Sequence, residues 1–187
     1  MFHMLTYGMS MLNSIIDFID NRPIIIVSGS KVVGDLHTDA IVVRLNSSRR
    51  WGSCDIWFNN QSQPAYFQEE SRGIGDEQWI IRANGDNKGA NMKRNYPTDW
   101  THTYFWPIED WEEMVKEMGI ARPLTGTIAT YWFHRYTRSQ IHLLNFDYYE
   151  TIKIHAVKGT PGPPPVHKPW LDKDWTLGLD RVEHIYS

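Results

Sequence analysis

The sequence predicts an α/β fold: one Rossmann-like layered sheet in which short strands alternate with helices. Three observations carry this prediction. Short apolar or β-branched runs recur at 23–30 (PIIIVSGS), 40–46 (AIVVRLN), 54–60 (CDIWFNN) and 77–86 (EQWIIRANGD). Helical spacing and helix punctuation occupy stretches before and after them. With 187 residues, 41% hydrophobic and 22% charged, the chain can bury one core without covalent staples. Buried strands of a layered α/β sheet read as continuous apolar runs, as these do.

The first element is an N-terminal helix within 1–22, where Leu12, Ile15, Ile16 and Ile19 share one face. Pro23 ends it, and IIIV leads into a tight Ser28-Gly29-Ser30 loop. Three more strands follow at the runs quoted above. Residues 84–99 are polar and rich in Gly and Asn, and read as a mobile surface loop. PIEDWEEMVKEMG (107–119) has a proline at its start, acids in its first turn and a glycine at its stop, the marks of a helix. ARPLTGTIATYWFHRY (121–136) opens another helix that ends near Arg138, and a threonine at its start can cap a free amide. SQIHLLNFD (139–147) reads as a strand. The segment 157–169 is a proline-rich loop, because prolines break regular structure. In the tail, Leu171, Trp175, Leu179, Val182 and Tyr186 recur in steps of four, four, three and four, which predicts one amphipathic helix. No internal repeat divides the chain, so 1–187 is read as a single domain.

Composition excludes several function classes. No apolar run approaches the ~20 residues of a membrane span, and the N-terminus lacks the pattern of a secretion signal. Cys54 is the one cysteine, so no internal disulfide can form; a cytoplasmic location is expected. A net charge of -3 argues against unspecific gripping of nucleic acid. Local basic patches remain, at Arg44, Arg49 and Arg50 and at Lys88, Lys93 and Arg94. Nine tryptophans in so short a chain offer stacking surfaces or core filling.

Ligands of such sheets bind at the carboxyl ends of the strands, which directs attention to a few residues. Ser28-Gly29-Ser30 fits a phosphate loop or a plain turn; it is neither a dinucleotide fingerprint nor a Walker loop. Arg44 and Asn46 stand two apart at a strand end, so they are expected to share a face, offering a guanidinium fork and an amide to a nucleotide or serving an ordinary ion pair. His167 precedes Asp172 by five residues, an arrangement suited to a general base and its orienting acid or to a structural histidine. Asp172 and Asp174 form an Asp-x-Asp pair, but at a helix start, where acids are favoured by the macrodipole; no metal is expected there. Thr125-Gly126 is either a capped helix start or a set of exposed amides that hold an anion.

Taken in order, these pieces resemble the animal-type sialyltransferase family. IIIVSGS, VVRLN and WGSCDIWFNN match its large motif, and RPLTGTIATYWFHRY with IHLLNFD matches its small motif, Asn145 replacing a glycine. HKPWLD gives the family's last motif as His167 and Asp172, with Asp in place of Glu. The likeness runs from residue 23 to about residue 175 and suggests a short soluble bacterial or phage relative. Ser28 departs from the family's asparagine, the loop from Gly29 to Ala40 is short, and the animal enzymes' disulfide, membrane anchor and stem are not expected here.

The resemblance implies a variant of the nucleotide-sugar glycosyltransferase fold and an inverting, metal-independent transfer from a CMP-type sugar donor. This co-substrate takes the place of a cofactor. It implies His167 as base with Asp172 beside it, and a donor site at Ser28, Gly29, Ser30, Arg44, Asn46, Thr125, Gly126 and His155. In that setting Gly126 would leave the helix amides open to a phosphate. The acceptor would be a glycan or a hydroxymethylated base of phage DNA, met by Arg49, Arg50, Lys93 and Arg94. The alternative is a catalytically inactive nucleotide-binding or structural protein that keeps the fold.

Overall fold

A computed structural model describes residues 2–29, 31–60, 79–83, 102–148 and 167–185. Seven parallel strands build one sheet: β1 (Ile24–Val27), β2 (Ile41–Leu45), β3 (Ile56–Asn59), β4 (Trp79–Arg82), β5 (Thr103–Phe105), β6 (Ile141–Leu144) and β7 (Val182–Ile185). Their spatial order is β5-β4-β3-β2-β1-β6-β7. The helices among the described residues are α1 (Phe2–Ile19), α2 (Ile108–Met118), α3 (Thr125–Tyr136) and α4 (Pro169–Leu177), and a 3-10 turn spans Asn46–Trp51. The architecture is thus the α/β layered, Rossmann-like sheet that the sequence predicts.

Strand periodicity divides the side chains between two apolar clusters. Ile24, Ile26, Val43, Leu45, Phe58 and Leu143 join Ile15 and Ile19 of α1, Met114 of α2 and Trp132 of α3 in the larger one. Val27, Val42, Trp57, Ile80 and Leu144 join Cys54, Val33 and Leu36 in the smaller one. Ile24 of β1 is paired with Ile41 on one side and Ile141 on the other. From β1 the chain builds outward to β5, then returns to the other flank of β1 for β6 and β7. This reversal places a switch point above the carboxyl ends of β1 and β6, where open α/β sheets form their ligand crevices.

The tail departs from expectation. Helix α4 ends at Leu177 with Gly178 behind it, Arg181 takes a left-handed φ of 60°, and the chain enters β7 beside β6. Leu171, Trp175 and Val182 all pack against the larger cluster. The first two do so from a helix and the third from a strand, so helical spacing across the glycine imitated a continuous helix. Arg181 fixes this corner by donating to the carbonyls of Thr137 (2.9 Å) and His134 (3.0 Å) at the end of α3. Strand β5 was not expected either: three residues at a sheet edge are too short to show a period. No helix among the described residues is long and apolar enough to cross a membrane. The expected loop at 84–99, and 157–166 of the proline-rich loop, lie outside the described residues.

Candidate functional site at the start of helix α3

Arg122-Pro123-Leu124 leads extended chain into α3, and Leu124 (φ -68°, ψ 152°) holds the cap position without a side-chain cap. The first intrahelical bond runs from the Ile128 amide to the Leu124 carbonyl at 3.0 Å. The amides of Thr125, Gly126 and Thr127 therefore have no acceptor within the helix. Thr125 is the first helical residue rather than the cap, which corrects the capping role expected for it.

Its hydroxyl instead accepts a 3.1 Å hydrogen bond from Asn46 Nδ2. Asn46 lies just past β2 with φ 44°, a left-handed conformation that asparagine tolerates better than most residues. Its Oδ1 accepts from the Asn60 amide at 2.9 Å, and its carbonyl accepts from Trp57 Nε1 at 2.9 Å. One residue thereby ties the carboxyl ends of β2 and β3 to the start of α3.

Asp172 and His167 meet the same helix start from the other side. The Leu124 amide donates to Asp172 Oδ1 at 2.7 Å. Asp172 is fully buried. Burial pushes its carboxyl above the usual range, against the opposing pull of the Leu124 amide, the Thr127 hydroxyl and the nearby His167. Thr127 is close enough to act on the carboxyl, yet neither Thr127 Oγ1 nor Asp172 Oδ2 closes a hydrogen bond of normal geometry. His167 Nδ1 lies 2.8 Å from the Arg122 carbonyl. A carbonyl only accepts, so this contact assigns the proton of the neutral ring to Nδ1 and leaves the Nε2 lone pair available.

The structure thus brings Asn46, Thr125, Gly126, His167 and Asp172 to one helix end. Ser28 and Gly29 follow β1 at the switch point, where the Ser28 amide donates to the Leu144 carbonyl at 3.1 Å. Arg49 and Arg50 lie on the 3-10 turn beyond β2; the Arg49 guanidinium stands 5.4 Å over the Trp57 ring, and Arg50 is exposed. Ser30, Lys93, Arg94 and His155 fall outside the described residues. Asp172 is buried and Asp174 exposed.

Two expectations are corrected by packing. Arg44 and Asn46 do not share a face, because Asn46 has left the strand while Arg44 stays in it. Arg44 is fully buried, and its guanidinium donates to the carbonyls of Ser53 (2.9 Å), Val33 (2.8 Å), Ser48 (3.4 Å) and Gly34. It fastens the β1–β2 crossover and presents no free fork to a nucleotide. Gly52 allows this, since a Cβ there would overlap Arg44 Nη2 and stand 2.8 Å from the Gly34 carbonyl carbon. Gly126 likewise has a local reason: a Cβ would run into Phe146 Cε1 and stand 2.9 Å from Cζ. The glycine makes room for an aromatic ring, not for a ligand. Asn145, which precedes that ring, takes φ 58°, so it supplies the left-handed residue that a glycine would otherwise give.

Sequence reasoning missed Thr127 and the Arg122 carbonyl. A backbone acceptor leaves no residue-type signal, and Thr127 two places after Thr125 is unremarkable until Asp172 is placed beside it. Compared with protein-family models, with curated proteins and with solved structures, the chain gives no match.

Proposed function

We propose that the protein is a nucleotide-sugar-dependent glycosyltransferase that moves a sugar from a CMP-type donor to an acceptor hydroxyl. The observation that carries the reading is the convergence of His167, Asp172, Asn46 and Thr125 on one helix start. That start lies at the carboxyl edge of a parallel sheet, beside its switch point. The first-turn amides of α3, which have no acceptor within the helix, suit the donor phosphate, whose charge grows as it leaves. His167 Nε2 would take the proton of the acceptor hydroxyl as that oxygen attacks the anomeric carbon and the bond to phosphate breaks. The sugar then inverts, the proton rests on His167, and the nucleotide departs. Arg49 and Arg50 would meet the acceptor.

One observation favours a second reading, a nucleotide-binding protein without catalysis: Asp172 already has a structural task in holding the Leu124 amide. Two measurements test both. CMP should raise the melting temperature more than UMP or GMP, and His167→Ala should lower transfer or donor hydrolysis by about 10²–10⁴-fold while CMP still binds. No shift with CMP overturns the donor assignment, and an unchanged rate in His167→Ala removes the base.

A further inference from the structure

An anion at the start of α3 would meet a second negative charge already there. Asp172 is fully buried, and its Oδ1 holds the Leu124 amide at 2.7 Å, one residue before the amides of Thr125, Gly126 and Thr127, which have no acceptor within the helix. A helix start carries roughly half a positive charge, too little to balance a carboxylate and a phosphate together. Like charges sharing a site force one of them to bind a proton. The geometry supplies a place for that proton. Asp172 Oδ2 is buried without a hydrogen-bond partner, and so is Thr127 Oγ1, an acceptor in the first turn of the same helix. A proton on Oδ2 could be donated to Thr127 while Oδ1 kept the Leu124 amide.

We propose that binding of a phosphate ester at the start of α3 takes up one proton, and that the proton resides on Asp172. The inference rests on the donor site assigned above and adds to it the charge state in which donor is held. Among the described residues, His167 acts on Asp172 by charge. Arg122, whose carbonyl holds His167, and Lys168, next to His167 in the chain, are basic residues of these two segments. From α3 and the Leu124 turn come an amide and a hydroxyl, neither of which titrates in this range. Burial acts in the same direction, since it favours the neutral carboxyl.

The test uses the methyl ester of CMP, a phosphodiester that carries one charge throughout the range from about pH 5 to pH 8. Calorimetric titration of the full chain in two buffers of different ionisation heat reads proton uptake directly. The expected result is uptake approaching one proton, with affinity falling about tenfold per pH unit above the carboxyl's own pKa. Asp172→Asn keeps the acceptor for Leu124 and should bind more tightly at pH 8, with uptake abolished. Binding without uptake in the native chain, or uptake that persists in Asp172→Asn and vanishes in His167→Gln, overturns the inference and leaves the donor site standing. An absence of binding in the native chain and in Asp172→Asn at every pH overturns both.

Discussion

Replacing Gly126 with alanine separates a packing glycine from a ligand-clearing one. In a helix, Gly→Ala ordinarily gains up to about 1 kcal/mol. Here the added methyl would overlap Phe146 Cε1 and lie 2.9 Å from Cζ. Phe146 is 5% exposed and has Tyr148 6.0 Å away, ring centre to ring centre, so the ring cannot swing out without opening the core. Overpacking of this kind costs about 1–3 kcal/mol, which outweighs the propensity gain. Gly126→Ala is therefore expected to destabilise by about 1–2 kcal/mol, and for a chain of this size each kilocalorie lowers Tm by about 2–4 °C. Urea unfolding followed by circular dichroism measures it. The decisive comparison is a double-mutant cycle with Phe146→Leu, where removing the ring edge should make the alanine neutral or favourable, a coupling of about 1–2 kcal/mol. If Gly126→Ala alone is as stable as the native chain, the close approach of ring and helix is refuted.

Other outcomes follow from the same contacts. Arg44→Met should cost about 3 kcal/mol or more in urea unfolding, because several buried carbonyls lose their donor, and Arg44→Lys should not restore it, since a point charge cannot reach the same set. Asn46→Gly keeps the left-handed backbone and loses the amide contacts, whereas Asn46→Ala loses both; the alanine variant should melt lower than the glycine variant. His184 is held below its ordinary 6.5 by burial and by Lys173. Its contribution is thus complete above about pH 6.5 and is lost as pH falls through the lower folded value. His184→Phe should flatten that part of the stability–pH profile. Asp172 is shifted the other way, so ionising it weakens the fold as pH rises through its raised value. Asp172→Asn should therefore match or exceed native stability at pH 7, while Asp172→Ala, which orphans the Leu124 amide, should lose about 1–3 kcal/mol.

The parallel strands were legible because burial on both faces writes them as unbroken apolar runs: IIIV and IVVRL need no context to be read. Helix α2 was legible from its own punctuation, and its C-terminal Gly119 has φ 66°, as a stop glycine should. Strand β7 was not legible. Its residues 182–185 alternate weakly in burial, and its reason for being a strand is the free edge of β6. The site divides along the same line. Thr125, His167 and Asp172 could be singled out by residue type, and their meeting at one helix end follows from topology. The tasks of Arg44 and Gly126 could not be read, since both answer to partners fixed by the fold: carbonyls in one case, an aromatic ring in the other.

The position of β1 also bears on how the chain survives its own synthesis. Ile24–Val27 can pair with β2 as soon as residue 45 has emerged, but its other edge waits for residues 141–144. Until then a strand of three isoleucines and a valine presents unpaired amides and carbonyls, the template on which unfinished chains stick to one another. Shortened chains that stop before β6 should therefore be more prone to aggregate than chains that lack β7 alone, whose loss uncovers only the edge of β6. A strand that is flanked on both sides in the finished sheet is thus, for most of translation, an exposed edge.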